Sequence, residues 1–469
     1  MKTTICAMFF FFLPFHLNAA NDSLKIMEFN SFITIVRENH PVAMQADLQK
    51  ANGEATVLQA KGNFDPYISN TTGQKYFNGD KYYSLINGGL TIPTWFGIEI
   101  KAGLEQNQGL YLNPENVTPS NGLWYAGISV PIGKDLFIDK RMKEIRQAKI
   151  YREGTESQRL ILLNDLLYEA GRAYWDWFLA YNKMLVLEGA VAVSEKRKIA
   201  VLSGAILGDR PFIDTLEAGI QFKNRQINLM LAEMDYQNAT KFLSTFLWID
   251  GFIPLEIDTA TFPPLWEKTN SIPFNADLQL NVDSLISRHP ELQLYGYKVE
   301  KLKVEKRYKQ EQLKPDLNIN YNAISQNVGG NPLSFYNSNN YTWGLEFSMP
   351  LFLRMERGDL QLTRIEILET EYDMDYKRQY LLYKSSFFLN EWRTMNSQVM
   401  LFTSVVQDYE LLLFGEQKLF EIGESSLFMV NSREMDFINA EIKLIELLTK
   451  NQKASLSSWH ALGNLNQQL

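Results

Sequence analysis

The sequence predicts an α+β fold in which strand regions alternate with very long helices, arranged as two repeats. Two observations support this prediction. Short motifs of the first half return in the same order in the second half of the 469-residue chain, which is typical of an internal repeat. In addition, two stretches of about 64 residues without proline follow the two strand regions. Both stretches are far longer than the helices of an ordinary globular domain.

The repeat is defined by its spacing. His40-Pro41 returns as His289-Pro290, and Pro66 returns as Pro315, both 249 residues later. The segment SVPIGKDLFIDKR at 129–141 returns as SMPLFLRMERGD at 348–359, only 219 residues later. The first repeat therefore has 30 more residues in its strand region than the second. Those residues predict either an enlarged loop hairpin or additional strands.

A fourth repeated motif lies further along the chain, where GDRPFI at 208–213 is matched by GESSLF at 423–428. The order of the repeated motifs predicts a first repeat over 21–250 and a second over 281–469. The segment 251–280 is rich in proline and polar residues and predicts a connection between them.

The strand regions show alternation with a period of two, with apolar residues on one face and small or polar residues on the other. The clearest segments are 95–104, 123–130, 316–323 and 341–347, and weaker ones are 67–77 and 82–92. A soluble sandwich alternates in the same way. The small polar face and the aromatic residues near the strand ends favour a membrane barrel wall. Because each chain has few strands, several chains would have to share one barrel.

The proline-free stretches 140–203 and 357–421 predict helices of about 95 Å each. Their apolar residues step by three and four, which indicates helices packed side by side as a coiled coil. The charged residues within 188–200 indicate a part that faces water. Each long helix is expected to end at a glycine and to return as a second helix over 212–248 or 427–462. Asp209 and either Ser425 or Ser426 are the predicted caps of the returning helices.

Residues 1–20 predict a secretory signal peptide, with an apolar stretch before small residues. Cys6, the only cysteine, lies within it. The net charge of −8 argues against nucleic acid as a partner. We predict no enzyme, because the histidines outside the signal are few and the two His-Pro pairs are expected to mark helix starts. For the same reason we predict no catalytic, cofactor-binding or metal-binding residues.

The segment GDRPFIDTLEA at 208–218 resembles the hairpin-tip pattern of the TolC-like outer membrane factor family. On that match Gly208 forms the turn, Arg210 is a tip residue, and Asp214 lies where the returning helix begins. The VPI and MPL segments, with the basic residues that follow them, resemble the strand-to-helix transition of the family. The second tip departs from the pattern, because Met429 stands where the aspartate would fall.

The resemblance implies an α+β membrane protein of the Gram-negative outer membrane that extends into the periplasm. Three chains would each contribute about four strands to a shared 12-stranded β-barrel embedded in outer membrane lipid. The helices would form a coiled-coil periplasmic tunnel. The tips would close the tunnel and dock a periplasmic adaptor joined to an inner-membrane RND or ABC transporter, as in tripartite efflux or type I secretion. The alternative is an envelope coiled-coil protein with a structural or adhesive role and a small soluble strand domain.

Acidic residues at a constriction attract cations, so five acidic residues near the tips are candidates for a gate. These are Asp209, Asp214, Glu217, Glu424 and Glu434. For Asp209 and Glu424, interaction with a helix terminus is an equally open alternative. Asp214 carries the family match. The candidates for adaptor contact are Gly208, Arg210, Gly423 and Ser425.

Overall fold

The computed structural model describes residues 25–258, 260–268, 282–326 and 337–468. The predicted signal peptide over 1–20 lies outside the described residues, as does much of the predicted connection over 251–280. Where the first repeat ends and the second begins therefore stays a prediction.

Within the described ranges, six strands form one antiparallel sheet, here called the main sheet. The strands are β1 Tyr67–Phe77, β2 Asp80–Pro93, β3 Glu99–Gln108, β4 Leu123–Pro131, β5 Asp316–Gln326 and β6 Tyr341–Ser348. Their order across the sheet is β6-β5-β4-β3-β2-β1, so each strand pairs with its neighbours in the chain. The two halves of the chain meet where β4 pairs with β5.

All six predicted strand segments are present, but one begins later than predicted. The alternation indicates a strand from residue 95, whereas β3 begins at Glu99. Residues 94–98 form a tight turn instead, because the Thr94 backbone N–H and the Thr94 hydroxyl both donate to the Ile98 carbonyl. An alternating pattern cannot distinguish a strand from a turn that happens to continue it.

The register of the main sheet aligns the apolar residues of neighbouring strands on one face. That face carries Ile68 in β1, Leu90 and Ile92 in β2, Ile100, Ala102 and Leu104 in β3, Trp124, Ala126 and Ile128 in β4, Leu317, Ile319 and Tyr321 in β5, and Trp343, Leu345 and Phe347 in β6. The opposite face carries small and polar residues such as Lys101, Ser129, Asn320 and Glu346. On β1 the apolar face continues with polar residues at Asn70, Thr72 and Gln74.

The helical part is built from two long hairpins and shorter helices. The helices are α1 Phe29–Asn39, α2 Pro41–Lys61, α3 Lys140–Leu207, α4 Phe212–Ser244, α5 Val282–Ser287, α6 Pro290–Glu311, α7 Arg354–Glu421, α8 Leu427–Ala461 and α9 Leu465–Gln468. Both α3 and α7 have 68 residues, or about 100 Å of helix. The predicted helices over 140–203 and 357–421 are thus confirmed, as are the two returning helices.

The turn of each hairpin contains the predicted glycine. Gly208 and Gly423 have φ angles of 83° and 82°, a left-handed conformation that glycine adopts without steric cost. Ser426 caps α8, since its hydroxyl accepts a hydrogen bond from the Met429 N–H. The predicted cap at Asp209 is wrong. Its N–H donates to the Gly204 carbonyl to close α3, and α4 begins only after Pro211.

The two His-Pro pairs mark helix starts, as predicted. The Nδ1 atom of His40 accepts a hydrogen bond from the Val42 N–H at 3.1 Å, at the start of α2. The Nδ1 atom of His289 accepts from the Glu291 N–H at 3.2 Å, at the start of α6. Each proline occupies the first helical turn, where its missing N–H costs nothing. The cap requires an unprotonated Nδ1 atom.

This requirement predicts acid sensitivity at His289. Burial is the main cause that lowers the pKa of His289, to about 4 from its ordinary value of 6.5. The folded chain therefore favours the neutral ring. The neutral His289 ring contributes fully to the stability of the fold above pH 6.5, and this contribution declines as the pH falls towards 4. We expect the free energy of unfolding to fall by up to about 3 kcal/mol over this window, at about 1.4 kcal/mol per pKa unit. His289→Asn keeps a capping side chain that does not titrate, so its loss should be smaller. An identical pH profile for the variant would contradict this role.

One hydrophobic core joins the helices of both halves. The most deeply buried large side chains at its centre include Phe32, Leu167, Tyr174, Trp177, Phe178, Leu381, Ile445 and Trp459. Leu163, Leu167, Ala170, Tyr174 and Trp177 follow the three-four stepping seen in the sequence, and all five are buried. The Trp177 Nε1–H donates to the Thr240 hydroxyl at 2.9 Å, so α3 and α4 are tied together within this core.

Candidate functional site at the hairpin tips

The two hairpin tips lie against each other within one chain. The Arg210 guanidinium, at the first tip, lies 4.2 Å from the centroid of the Phe420 ring at the end of α7. Val201, Ala218 and Leu427 form a small buried cluster beside this contact. A movement of one tip would therefore disturb the other.

The structure places the predicted acidic residues in three different settings. Asp209 and Glu424 are exposed at the two turns. The Glu424 N–H closes α7 by donating to the Leu419 carbonyl, but this bond does not use its carboxylate. Asp214 is half-buried in the first turn of α4, where the helix dipole favours negative charge. Glu217 lies nearly one turn further and accepts a hydrogen bond from the Asn431 amide at 3.0 Å.

Glu434 lies in a buried group of polar side chains, here called the ion cluster, formed by Arg197, Arg225, Asn431 and Glu434. Its carboxylate forms ion pairs with Arg197 and with Arg225, the latter at 2.9 Å. The side chains of Arg225 and Glu434 are only 2% and 6% exposed. The Arg225 guanidinium also donates to the Ala190 carbonyl at 3.2 Å, and Arg197 donates to the Asn431 side chain at 3.1 Å.

The ion cluster changes two expectations from the sequence. Within the charged stretch 188–200, Glu188, Glu195 and Lys196 are exposed as expected. Arg197 instead points into the cluster, because the buried Glu434 carboxylate needs a partner. Glu434 itself was predicted as a gate residue. Its charge is neutralised by two arginines, so any part it takes in a gate is to hold α8 against α3 and α4, not to present a free carboxylate.

Arg225 was missed at the sequence level, although a signal was present. It lies seven residues from both Ala218 and Ala232, and all three side chains are buried on one face of α4. A heptad count over this helix would have placed Arg225 on the buried face. A buried arginine requires an acidic partner, but the count does not identify that partner as Glu434.

The tips expose a set of large apolar side chains, each more than half exposed. They are Ile206, Leu207, Phe212, Ile213, Leu216, Ile220, Ile422 and Phe428. Contiguous exposed apolar residues mark surfaces that bind another protein. Among the candidates for adaptor contact, Gly208 and Gly423 are exposed at the turns. Arg210 is half-buried against Phe420, and the Ser425 hydroxyl donates to the Glu416 carboxylate.

The part of the chain that the structure describes holds neither a metal-binding cluster nor a helix that could span a membrane. Among the described residues, histidine, cysteine and acidic side chains form no group of three or more that could hold a metal ion. In the same part of the chain, no helix is both long and apolar enough to cross a membrane.

This chain contains two strand regions, each followed by a long helical hairpin. Solved structures share this fold. The Campylobacter jejuni CmeC outer membrane channel matches with a TM-score of 0.65 at 12% identity, over 93% of this chain and 86% of that one. The Vibrio cholerae outer membrane protein VceC gives 0.65 at 13% identity, over 93% and 96%. This is the fold of TolC-like outer membrane channels. The open state of the Neisseria gonorrhoeae MtrE outer membrane channel shares it, with a TM-score of 0.67 at 11% identity, over 93% and 89%.

The match to the TolC-like channel fold extends over 93% of this chain in each of these three structures. Protein-family models and curated protein sequences give no match to this chain. The likeness is therefore one of fold, at a sequence identity too low to carry individual residues from one protein to another.

Proposed function

We propose that the chain is a subunit of an outer membrane channel and conducts substrates passively out of a Gram-negative cell. The observation that carries the proposal is the apolar face that the main sheet presents from β2 to β6, with a polar face behind it. Trp343, Leu345 and Phe347 of β6 are more than half exposed on that face. Lipid would cover such a face, and the polar face would line an aqueous pore.

The alternative, an envelope coiled-coil protein with a soluble strand domain, fits this observation less well. A soluble sheet with one apolar face packs that face against a second layer, because exposed apolar area is costly in water. On β6 the aromatic residues remain open to the surroundings in the single chain. The distinction is testable by extraction. A channel stays with the outer membrane fraction until detergent is added, whereas a protein released by salt or alkaline washing would contradict the proposal.

We further propose that three copies assemble around one axis. The isolated chain exposes apolar stripes along α4 and α7, which include Ile227, Met230, Leu231, Leu362, Tyr372, Tyr376, Leu411 and Phe414. Such exposed residues on α7, which is about 100 Å long, and on the shorter α4 suit side-by-side packing against a second copy. The helices of three copies would enclose a periplasmic tunnel.

The proposed partners are a periplasmic adaptor and an inner-membrane RND or ABC transporter, as in tripartite efflux or type I secretion. The transporter supplies the energy, and the channel supplies the route. The exposed apolar side chains at the tips are suited to adaptor binding, with Gly208 and Gly423 at the centre of each turn. Photo-crosslinkers placed at Gly208, Arg210, Gly423 and Ser425 should capture the adaptor in cells. Failure at all four positions would reject this docking surface.

We propose Asp214 as a gate residue, because within the described residues its carboxylate, unlike that of Glu434, is not paired with arginines in a buried cluster. In a trimer, three copies of this carboxylate would attract cations at the closed end of the tunnel. Asp214→Ala should therefore lower the preference of the channel for cations over anions, measured as a shift of the reversal potential in a planar bilayer under a salt gradient. Asp209→Ala is the matched control at the exposed turn and should shift it less. An unchanged reversal potential in Asp214→Ala would remove this residue from the gate.

A further inference from the structure

The additional 30 residues of the first repeat form two added strands. β1 follows Pro66 as β5 follows Pro315, and Trp124 in β4 corresponds to Trp343 in β6 at the second offset of 219 residues. β1 and β4 are therefore the strands that the two repeats share. The hairpin β2–β3, which spans residues 80–108, lies between them both in the chain and in the sheet.

The β2–β3 hairpin is built into the plane of the main sheet. It pairs with β1 on one side and with β4 on the other, and its apolar residues continue the apolar face. The Tyr125 ring of β4 reaches across Gly103 of β3 to Gly89 of β2. A Cβ atom at either glycine would lie 2.6 Å from the Tyr125 hydroxyl oxygen, so only glycine leaves room for this side chain. One aromatic side chain thus spans three strands.

The turn between β2 and β3 is also fixed to the helical part of the chain. The Trp95 ring stacks on Phe64, three residues after the end of α2, with 4.3 Å between ring centroids. At the first residue of β3, Glu99 forms an ion pair at 3.0 Å with Arg141 in the first turn of α3. These contacts hold the β2–β3 hairpin between β1 and β4, as two further strands of the main sheet.

The main sheet ends at β1 and β6, whose outer edges have no strand partner within the described residues. Open sheet edges are not tolerated in lipid, because unpaired backbone groups there have no water to bond. β1 runs away from the helices and β6 returns towards them, so β6 of one copy would meet β1 of the next in antiparallel orientation. β1 carries the polar residues Asn70, Thr72 and Gln74 on the face that is apolar in the other strands. Contact between β1 and the next copy would therefore be stabilised mainly by hydrogen bonds between backbone groups.

Resting on the proposed channel function, we infer that β6 pairs with β1 of a second copy and that three copies close a barrel of 18 strands, where the resemblance alone implies 12. At equal strand spacing and tilt, the circumference is then about one and a half times larger. Barrels of 16–18 strands leave an open aqueous channel. The outer membrane part would therefore admit bulky hydrated solutes and would leave selection to the hairpin tips.

Cysteine pairs can test the position of the hairpin, since Cys6 is the only native cysteine and can be replaced. Ile68 and Leu90 face each other on β1 and β2, so the pair Ile68→Cys with Leu90→Cys should form a disulfide within one chain. Ile68→Cys with Ala126→Cys places the thiols on β1 and β4. With β2 and β3 between them these strands lie about 14 Å apart, too far for a disulfide. A disulfide in this second pair would show that the hairpin lies outside the wall and would overturn the inference.

Electron microscopy of the detergent-solubilised trimer then counts the strands. Eighteen strands, with β6 beside β1 of the neighbouring copy, is the expected result. A trimer with 12 strands would reject the inference but leave the proposed channel function intact. A chain that fails to form a membrane trimer would instead reject the proposed function.

Discussion

Glu434→Ala is expected to destabilise the hairpins by about 3–5 kcal/mol and to increase the open time of the proposed channel in planar bilayers. The substitution leaves the buried Arg225 and the partly buried Arg197 without their shared carboxylate, and removal of one partner from a buried ion pair has costs of this size. Because the ion cluster joins α8 to α3 and α4, its loss should let the two tips move apart.

The matched control is Glu446→Ala on the same helix, whose partner Lys443 lies at 3.5 Å and is largely exposed. A surface ion pair contributes only about 0–1 kcal/mol, so this variant should behave as the wild type does. If Glu434→Ala and Glu446→Ala have equal unfolding midpoints and equal open times, the ion cluster does not hold the tips. Replacing Arg197, Arg225 and Glu434 together with apolar residues should restore much of the stability.

Trp177→Ala is expected to lower the free energy of unfolding by about 3–5 kcal/mol, the usual cost of emptying a buried tryptophan site. Trp177 is fully buried in the core that the two halves share, and its Nε1–H bonds to Thr240. Thermal unfolding in detergent, followed by circular dichroism, measures the effect.

Trp177→Phe is the control for this second prediction. It retains most of the apolar volume but loses the hydrogen bond to Thr240, so its cost should be clearly smaller. Equal losses for Trp177→Ala and Trp177→Phe would mean that the hydrogen bond, and not the packing of Trp177, stabilises this core.

The long elements and their ends could be predicted from the sequence because their signals are local. Gly208 and Gly423 close their helices through a conformation that glycine favours, and His40 and His289 cap helices next to a proline that fits the first turn. In each case the residue type and its neighbours determine the structure.

The remaining features depend on contacts between distant residues. Arg197 and Glu434 are 237 residues apart, and no local sequence pattern predicts that they form an ion pair. The additional residues of the first repeat were compatible with a loop or with strands, because alternation alone does not reveal pairing partners. In the folded sheet, the Tyr125 side chain lies over Gly103 and Gly89 and so favours strands over a loop at these positions. This contact depends on the register of the strands, which the sequence does not show.

The proposed function requires several copies of this chain to form one conducting pore. The most direct test combines the mass of the mature protein in detergent, by light scattering, with its conductance in a planar bilayer. We predict a particle of three chains that produces discrete conductance steps. A single chain that leaves the bilayer insulating would contradict the proposed function.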